Sequence, residues 1–136
     1  MIASLACLLA LSAPAAAQNA GSAGSHMIVV KLVEKAGSMP YAFEPASVVA
    51  RPGDTLRFVE ATGAIHNVRF TKQPAGAKLG AATTGPYFTA KGQTYDLIID
   101  RRFAEGTYEY VCDPHAAIGM KGTLSVKRAA AVSGSN

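Results

Sequence analysis

Between Ile28 and Lys127 the chain is written in short runs whose apolar residues return at every second position, each run closed by turn residues. Val68 and Phe70 alternate with Arg69 and Thr71, and Tyr95, Leu97 and Ile99 alternate with Asp96 and Ile98. Tyr108 and Tyr110 flank Glu109, while Leu124 and Val126 stand against Ser125 and Lys127. A period of two is the repeat of a strand with one buried face, because successive side chains leave a pleated backbone on opposite sides. Ile28–Val33 and Ala46–Ala50 are further strand-like runs, and the second ends in Arg51-Pro52-Gly53-Asp54, a Pro-Gly turn. Leu56, Phe58 and then Ala61 follow the repeat less regularly, which groups Glu60 with the polar positions. No long helical period occurs after the first 17 residues. Seven or so short strands between turns predict an all-β, two-sheet antiparallel sandwich. The Gly/Ala/Pro-rich stretch from Lys72 to Gly92 holds a short edge strand near Tyr87, a helical turn, or neither.

The 136 residues are enough for one domain. Residues 1–17 are apolar and Ala-rich and end in Ala15-Ala16-Ala17, which reads as a secretory signal peptide. No Lys or Arg precedes the apolar run, so either the start lies upstream or the signal is a weak one. Residues 18–27 are small and polar, a linker by composition, residues 28–127 form the domain, and residues 128–136 read as a flexible tail. Removing the signal takes Cys7 with it and leaves Cys112 as a lone thiol. In an oxidising compartment such a cysteine is either buried and inert or has chemistry.

The net charge of +4 comes from 13 basic residues scattered among nine acidic ones. Nucleic-acid binders cluster their basic residues and interleave aromatics, so that class is set aside. The mild excess fits association with an acidic partner and fits a plain solvated surface equally well.

At the end of the domain the chain reads Cys112-Asp113-Pro114-His115-Ala116-Ala117-Ile118-Gly119-Met120, the pattern C-x2-H-x4-M between two strands. Upstream, His66 opens another strand with Asn67 beside it. A thiolate, two imidazoles and a thioether are the ligand set of a trigonal copper site with a weak axial Met. Thiolate and imidazole suit both copper oxidation states, so electron transfer through such a site costs little rearrangement. Taken singly, each residue has a bland reading: a buried structural cysteine, a satisfied histidine, a methionine filling the core. With 3 His and 4 Met in the chain, finding both at these offsets from Cys112 has a chance of roughly one in 1,500, which favours the joint reading. His26 falls in the linker and stays outside the ligand set. Pro114 stiffens the loop, and Gly119 permits the close approach that aims Met120 inward.

Phe43-Glu44-Pro45-Ala46, Arg51-Pro52-Gly53-Asp54-Thr55, His66-Asn67-Val68 and the segment Cys112 to Met120 resemble the cupredoxins, specifically the plastocyanin and pseudoazurin type. The resemblance spans roughly Ile28 to Lys127. It implies a Greek-key β-sandwich, one type 1 copper ion held by His66, Cys112, His115 and Met120, and a soluble one-electron carrier of the periplasm rather than an enzyme. It also implies that Asn67 ties the ligand loops together, its side chain near Asp113 and its backbone N–H toward the Cys112 sulfur. Family members often carry Ser or Thr where this chain has Asp113, which adds a negative charge beside the site. Pro114 has no N–H, which leaves the sulfur one backbone donor and favours Cu(II).

His115 is then the expected electron port, ringed by small apolar residues including Met39, Ile65 and Ile118, with Lys121, Lys72 or Lys78 as a basic rim. The expected partners are redox proteins with an acidic surface, such as a cytochrome c or a reductase, met by a monomer with no membrane span in its mature form. The rivals are a multicopper enzyme, for which two of three histidines are already used, a zinc module, and a copper-storage or copper-delivery protein of the cell envelope.

Overall fold

The structure, a computed structural model, describes residues 24–128; the expected signal peptide, most of the linker and most of the tail lie outside them. Eight strands follow in order: β1 Met27–Glu34, β2 Tyr41–Glu44, β3 Ser47–Ala50, β4 Thr55–Glu60, β5 Arg69–Lys72, β6 Thr94–Ile98, β7 Gly106–Val111 and β8 Lys121–Val126. They form two four-stranded sheets, ordered β2-β1-β4-β6 and β3-β8-β7-β5. The expected all-β sandwich is therefore what this chain forms.

Its sheets are mixed rather than wholly antiparallel. The strand pairs β1–β4 and β3–β8 run parallel, while β1–β2, β4–β6, β5–β7 and β7–β8 run antiparallel. The reason is topological. The chain steps from β2 in one sheet to β3 in the other across Pro45 and Ala46, then returns at β4 to lie beside β1. A strand that comes back from the opposite sheet can pair in the same direction as its neighbour, which a tight hairpin cannot do.

The alternation does what its period demands. Val30 and Leu32 of β1, Leu56 and Phe58 of β4, Tyr108 and Tyr110 of β7, and Leu124 and Val126 of β8 are buried, and their neighbours in sequence face outward or to the rim. Between the sheets Phe43, Phe58, Phe70 and Tyr110 meet edge to face, with ring centroids 4.9 to 5.7 Å from Tyr110. Such pairs add about 0.5–1.5 kcal/mol each beyond the area they bury. The Tyr108 hydroxyl donates to the Ala104 carbonyl at 2.9 Å and so anchors the turn that enters β7.

Two features differ from expectation, and one stretch left open takes its helical-turn alternative. Tyr41–Glu44 is an additional strand, too short to display its period in the sequence. The stretch from Lys72 to Gly92 carries a single 3-10 turn, Gly80–Thr83, and isolated bridges His66–Phe88 and Arg69–Thr84. Glu60 is buried at 1% exposure, in step with Leu56 and Phe58, instead of joining the polar face. At the other end of the sandwich His26 donates its backbone N–H to Asp54 Oδ1 at 3.0 Å, so the last residues before β1 are docked on the domain.

Candidate metal centre

The phase of the strands carries past their ends and places the candidate ligands. Counting back in twos from buried Phe70 of β5 reaches Val68 and His66, both buried. Counting on from Tyr108 and Tyr110 of β7 reaches Cys112, and counting back from Val126, Leu124 and Gly122 of β8 reaches Met120, each fully buried. Because β5, β7 and β8 are neighbours in one sheet, these three positions come together at one end of the sandwich.

The loop between β7 and β8 delivers His115. Asp113–Ile118 is a 3-10 turn with Pro114 in its first positions. It is held by His115 N–H to the Cys112 carbonyl at 3.1 Å, Met120 N–H to the His115 carbonyl at 3.1 Å, and Cys112 N–H to the Met120 carbonyl at 3.2 Å. Gly119 closes the turn at φ 90°, in the left-handed region that a side chain rarely adopts, and a Cβ there would sit 2.8 Å from Met39 Sδ.

Three donor atoms converge. His66 Nδ1 lies 3.4 Å from Cys112 Sγ, Cys112 Sγ lies 3.5 Å from His115 Nδ1, and the two Nδ1 atoms lie 3.2 Å apart. A point central to this triangle is about 2 Å from each corner, the length of a metal–nitrogen bond and a little under a metal–sulfur bond. Two imidazole nitrogens and a thiol facing one another at this distance are a set that a soft-ligand cation fits. Among the described residues no other group of three or more His, Cys, Asp or Glu converges in this way.

The electrostatics agree. Burial pulls both imidazoles below the usual histidine pKa; Glu60 opposes this at each ring, and His115 adds to it at His66. Both rings are thus neutral near neutral pH, the form in which an imidazole can bind a metal. Burial pushes the Cys112 thiol up, the backbone N–H groups of Asn67 and His115 pull it back, and the Asp113 and Glu60 charges push it up again. A cation that replaces the thiol proton relieves this arrangement, which couples metal binding to proton release.

The expected tie between the ligand loops is present, and Asp113 serves it. Asn67 Nδ2 donates to Asp113 Oδ2 and the Asp113 N–H donates to Asn67 Oδ1, both at 2.8 Å. Arg69 Nε donates to Asp113 Oδ1 at 2.6 Å, so the extra negative charge is met by a guanidinium. Asn67 and Arg69 together hold the Asp113 carboxyl below the usual carboxylate range.

Two neighbours were not legible as parts of the site. The Tyr41 ring lies over His115 at 4.1 Å between centroids and meets His66 edge-on at 5.1 Å. Glu60 bears on all three converging side chains by charge. A strict count of two from Leu56 and Phe58 would have found Glu60; nothing local marks Tyr41. Around the half-buried His115, Met39, Ile65 and Ile118 are exposed. Of the three lysines expected on the rim, Lys72 is paired with Glu109 at 3.1 Å.

Residues 28–127 match the model of the copper-binding proteins of the plastocyanin/azurin family. A plastocyanin of Scenedesmus fuscus is 37% identical over 102 residues, covering 74% of this chain and 99% of that protein. A mutant plastocyanin of fern, solved oxidised and reduced, superposes with a TM-score of 0.60 at 28% identity, over 74% of this chain and all of that one. The pseudoazurin of Methylobacterium extorquens aligns with a TM-score of 0.54 at 32% identity, over 75% of this chain and 77% of its own.

Proposed function

This chain belongs to the plastocyanin/azurin family of copper-binding proteins, and we propose that within it the protein is a soluble one-electron carrier of the periplasm. The proposed ligands are His66, Cys112, His115 and Met120. The observation that carries the reading is the triangle of His66 Nδ1, His115 Nδ1 and Cys112 Sγ, with sides of 3.2 to 3.5 Å, closed off from solvent on the His66 and Cys112 corners. Copper supplies the one-electron couple. The protein presents two neutral imidazoles and a thiol in a frame of sheet ends and a hydrogen-bonded turn, a frame that leaves the donors little room to move on a change of charge. A fern relative solved in oxidised and reduced forms is consistent with such a couple.

Storage or delivery of copper calls for donors that partners can reach and exchange. Here His66, Cys112 and Met120 are buried, and only His115 opens toward solvent. Electrons therefore enter and leave by the edge of His115, through contact with the apolar rim of Met39, Ile65 and Ile118. Electron-transfer contacts of this kind are small and short-lived. Lys121, which follows Met120, favours a partner with an acidic surface, such as a cytochrome c or a reductase, and gives an on-rate that falls with salt. Lys78, expected on the same rim, instead donates its backbone N–H to the Arg102 carbonyl before the start of β7, at the far end from Cys112. No helix among the described residues is long and apolar enough to cross a membrane.

The test is direct. Loaded with Cu(II), the purified protein turns intensely blue, bleaches on addition of one electron equivalent, and recovers on reoxidation; Cys112→Ser abolishes the colour. A colourless Cu(II) form, or a Cys112→Ser variant that stays blue, overturns the proposal.

A further inference from the structure

Glu60 ends β4 with its side chain inside the sandwich at 1% exposure. Burying a carboxylate is costly unless its oxygens are satisfied. One oxygen is well served: Oε1 accepts from the Thr62 N–H at 2.7 Å, the Thr62 hydroxyl at 2.7 Å and the Gly63 N–H at 3.1 Å. Those bonds shape the loop that leads to His66, and a neutral Asn or Gln oxygen could accept them as well. The other oxygen is unexplained by that role. Oε2 is buried and has no protein partner.

A second orphan belongs to the residue at the end of that same loop. His66 is fully buried, its Nδ1 is turned to Cys112 and His115, and its Nε2 has no protein partner. A ring whose Nδ1 is a ligand carries its proton on Nε2, and ligating histidines ordinarily donate that proton to a carboxylate, carbonyl or water. So one buried acceptor lacks a donor and one buried donor lacks an acceptor. The charge of Glu60 acts on His66, and also on His115 and Cys112. Buried waters sit where otherwise unsatisfied polar groups need them.

We propose that Glu60 is a positioning residue for the copper site: its Oε2 receives the Nε2–H of His66 through one bound water, holding the ring with Nδ1 toward the metal and biasing the couple toward Cu(II). This rests on His66 being a copper ligand. The bias follows from charge, since a fixed negative group in a site of low dielectric stabilises the more positive metal state. Glu60→Gln keeps the shape but removes the charge, and its amide must turn its donors either on the Thr62 and Gly63 donors or on the water.

The experiment compares wild type, Glu60→Gln and Thr62→Val as copper-loaded proteins. In Glu60→Gln the Cu(II)/Cu(I) equilibrium shifts about tenfold toward Cu(I), a rise in potential of ~59 mV for one electron. In the reduced, diamagnetic proteins, nitrogen-resolved NMR of the imidazoles finds the His66 Nε2–H slow to exchange in wild type and faster in Glu60→Gln. Thr62→Val removes one donor to Oε1 but no charge, so it leaves the Cu(II)/Cu(I) equilibrium within about twofold of wild type. An unchanged potential together with unchanged Nε2–H exchange in Glu60→Gln overturns the inference. Should that variant fail to fold, wild type alone decides: a His66 Nε2 without a protected proton overturns it, and a protected one supports it. Failure of the ligand assignment reads differently, as a wild-type Cu(II) protein with no blue colour.

Discussion

The two sheets meet at the metal centre but contribute to it in different ways. The sheet β3-β8-β7-β5 carries every candidate ligand, on or just beyond the ends of β5, β7 and β8. The sheet β2-β1-β4-β6 carries none, yet it supplies Tyr41 against His115 and Glu60 behind the site. Ligand positions follow from one sheet's own periodicity and from a short loop. The second sheet adds to the conditions under which those ligands work, with a ring from β2 and a buried carboxylate from the end of β4. The donor set thus comes from one sheet, while its surroundings are built by both, with Asn67, Arg69 and Asp113 from the ligand side and Tyr41 and Glu60 from the other.

The strongest way to break this division is to loosen the contact between the sheets. Phe58 of β4 packs at 5.4 Å from Tyr110 of β7, two residues before Cys112. Phe58→Ala should destabilise the metal-free protein by about 3–5 kcal/mol, because a buried aromatic is replaced by a cavity. Urea unfolding followed by circular dichroism reads this, and a loss below ~1 kcal/mol would mean that the sheets hold together without the aromatic cluster.

A smaller effect comes from pH. In the metal-free protein both imidazoles titrate below 6.5, the value of a free histidine, because burial disfavours their charged forms. The unfolded chain therefore binds protons first. Stability is complete above pH 6.5 and declines as pH falls from there toward the folded-state values, by at most ~1.4 kcal/mol per pH unit for each ring. Asp54 and Asp113 are held below 3.8, so their contributions persist until pH falls through that value and are then lost. Thermal unfolding across pH should resolve the first decline without copper and flatten it with copper. An identical decline in both forms would place the titrating groups outside the centre.

The smallest effect tests the second sheet alone. Tyr41→Leu removes the ring over His115 while keeping an apolar side chain. It should cost about 0.5–1.5 kcal/mol in the metal-free protein, the worth of an aromatic pair. Broadened His115 ring resonances in the reduced copper form would accompany it, with His66 unchanged. Equal broadening at both rings would show that Tyr41 supports the site as a whole.

How far the sequence could be read differs from residue to residue. Tyr108, Tyr110 and Cys112 fall on one phase, so the burial of Cys112 was foreseeable once the strand was recognised. Asn67 and Asp113, 46 positions apart, were expected to meet only through the family resemblance, and they do. Arg69 looked like an ordinary outward strand residue, since nothing in a local window reveals a carboxylate arriving from the β7–β8 loop. Glu60 was misplaced because a charged residue is normally assigned to the outer face, and here the strand's phase outweighed that rule. The strand Tyr41–Glu44 was missed because four residues form too short a run to show a period.

The all-β class, the strand that buries Cys112, and the spacing that brings His115 and Met120 back to it belong to the sequence by itself, since they depend on a two-residue repeat and a short loop. The two parallel pairings, the neutralisation of Asp113 by Arg69, the ring of Tyr41 over His115 and the buried charge of Glu60 were decided only in the tertiary structure. Each of these depends on which strand returns beside which, and that is settled by packing two twisted sheets face to face rather than by any neighbouring residue.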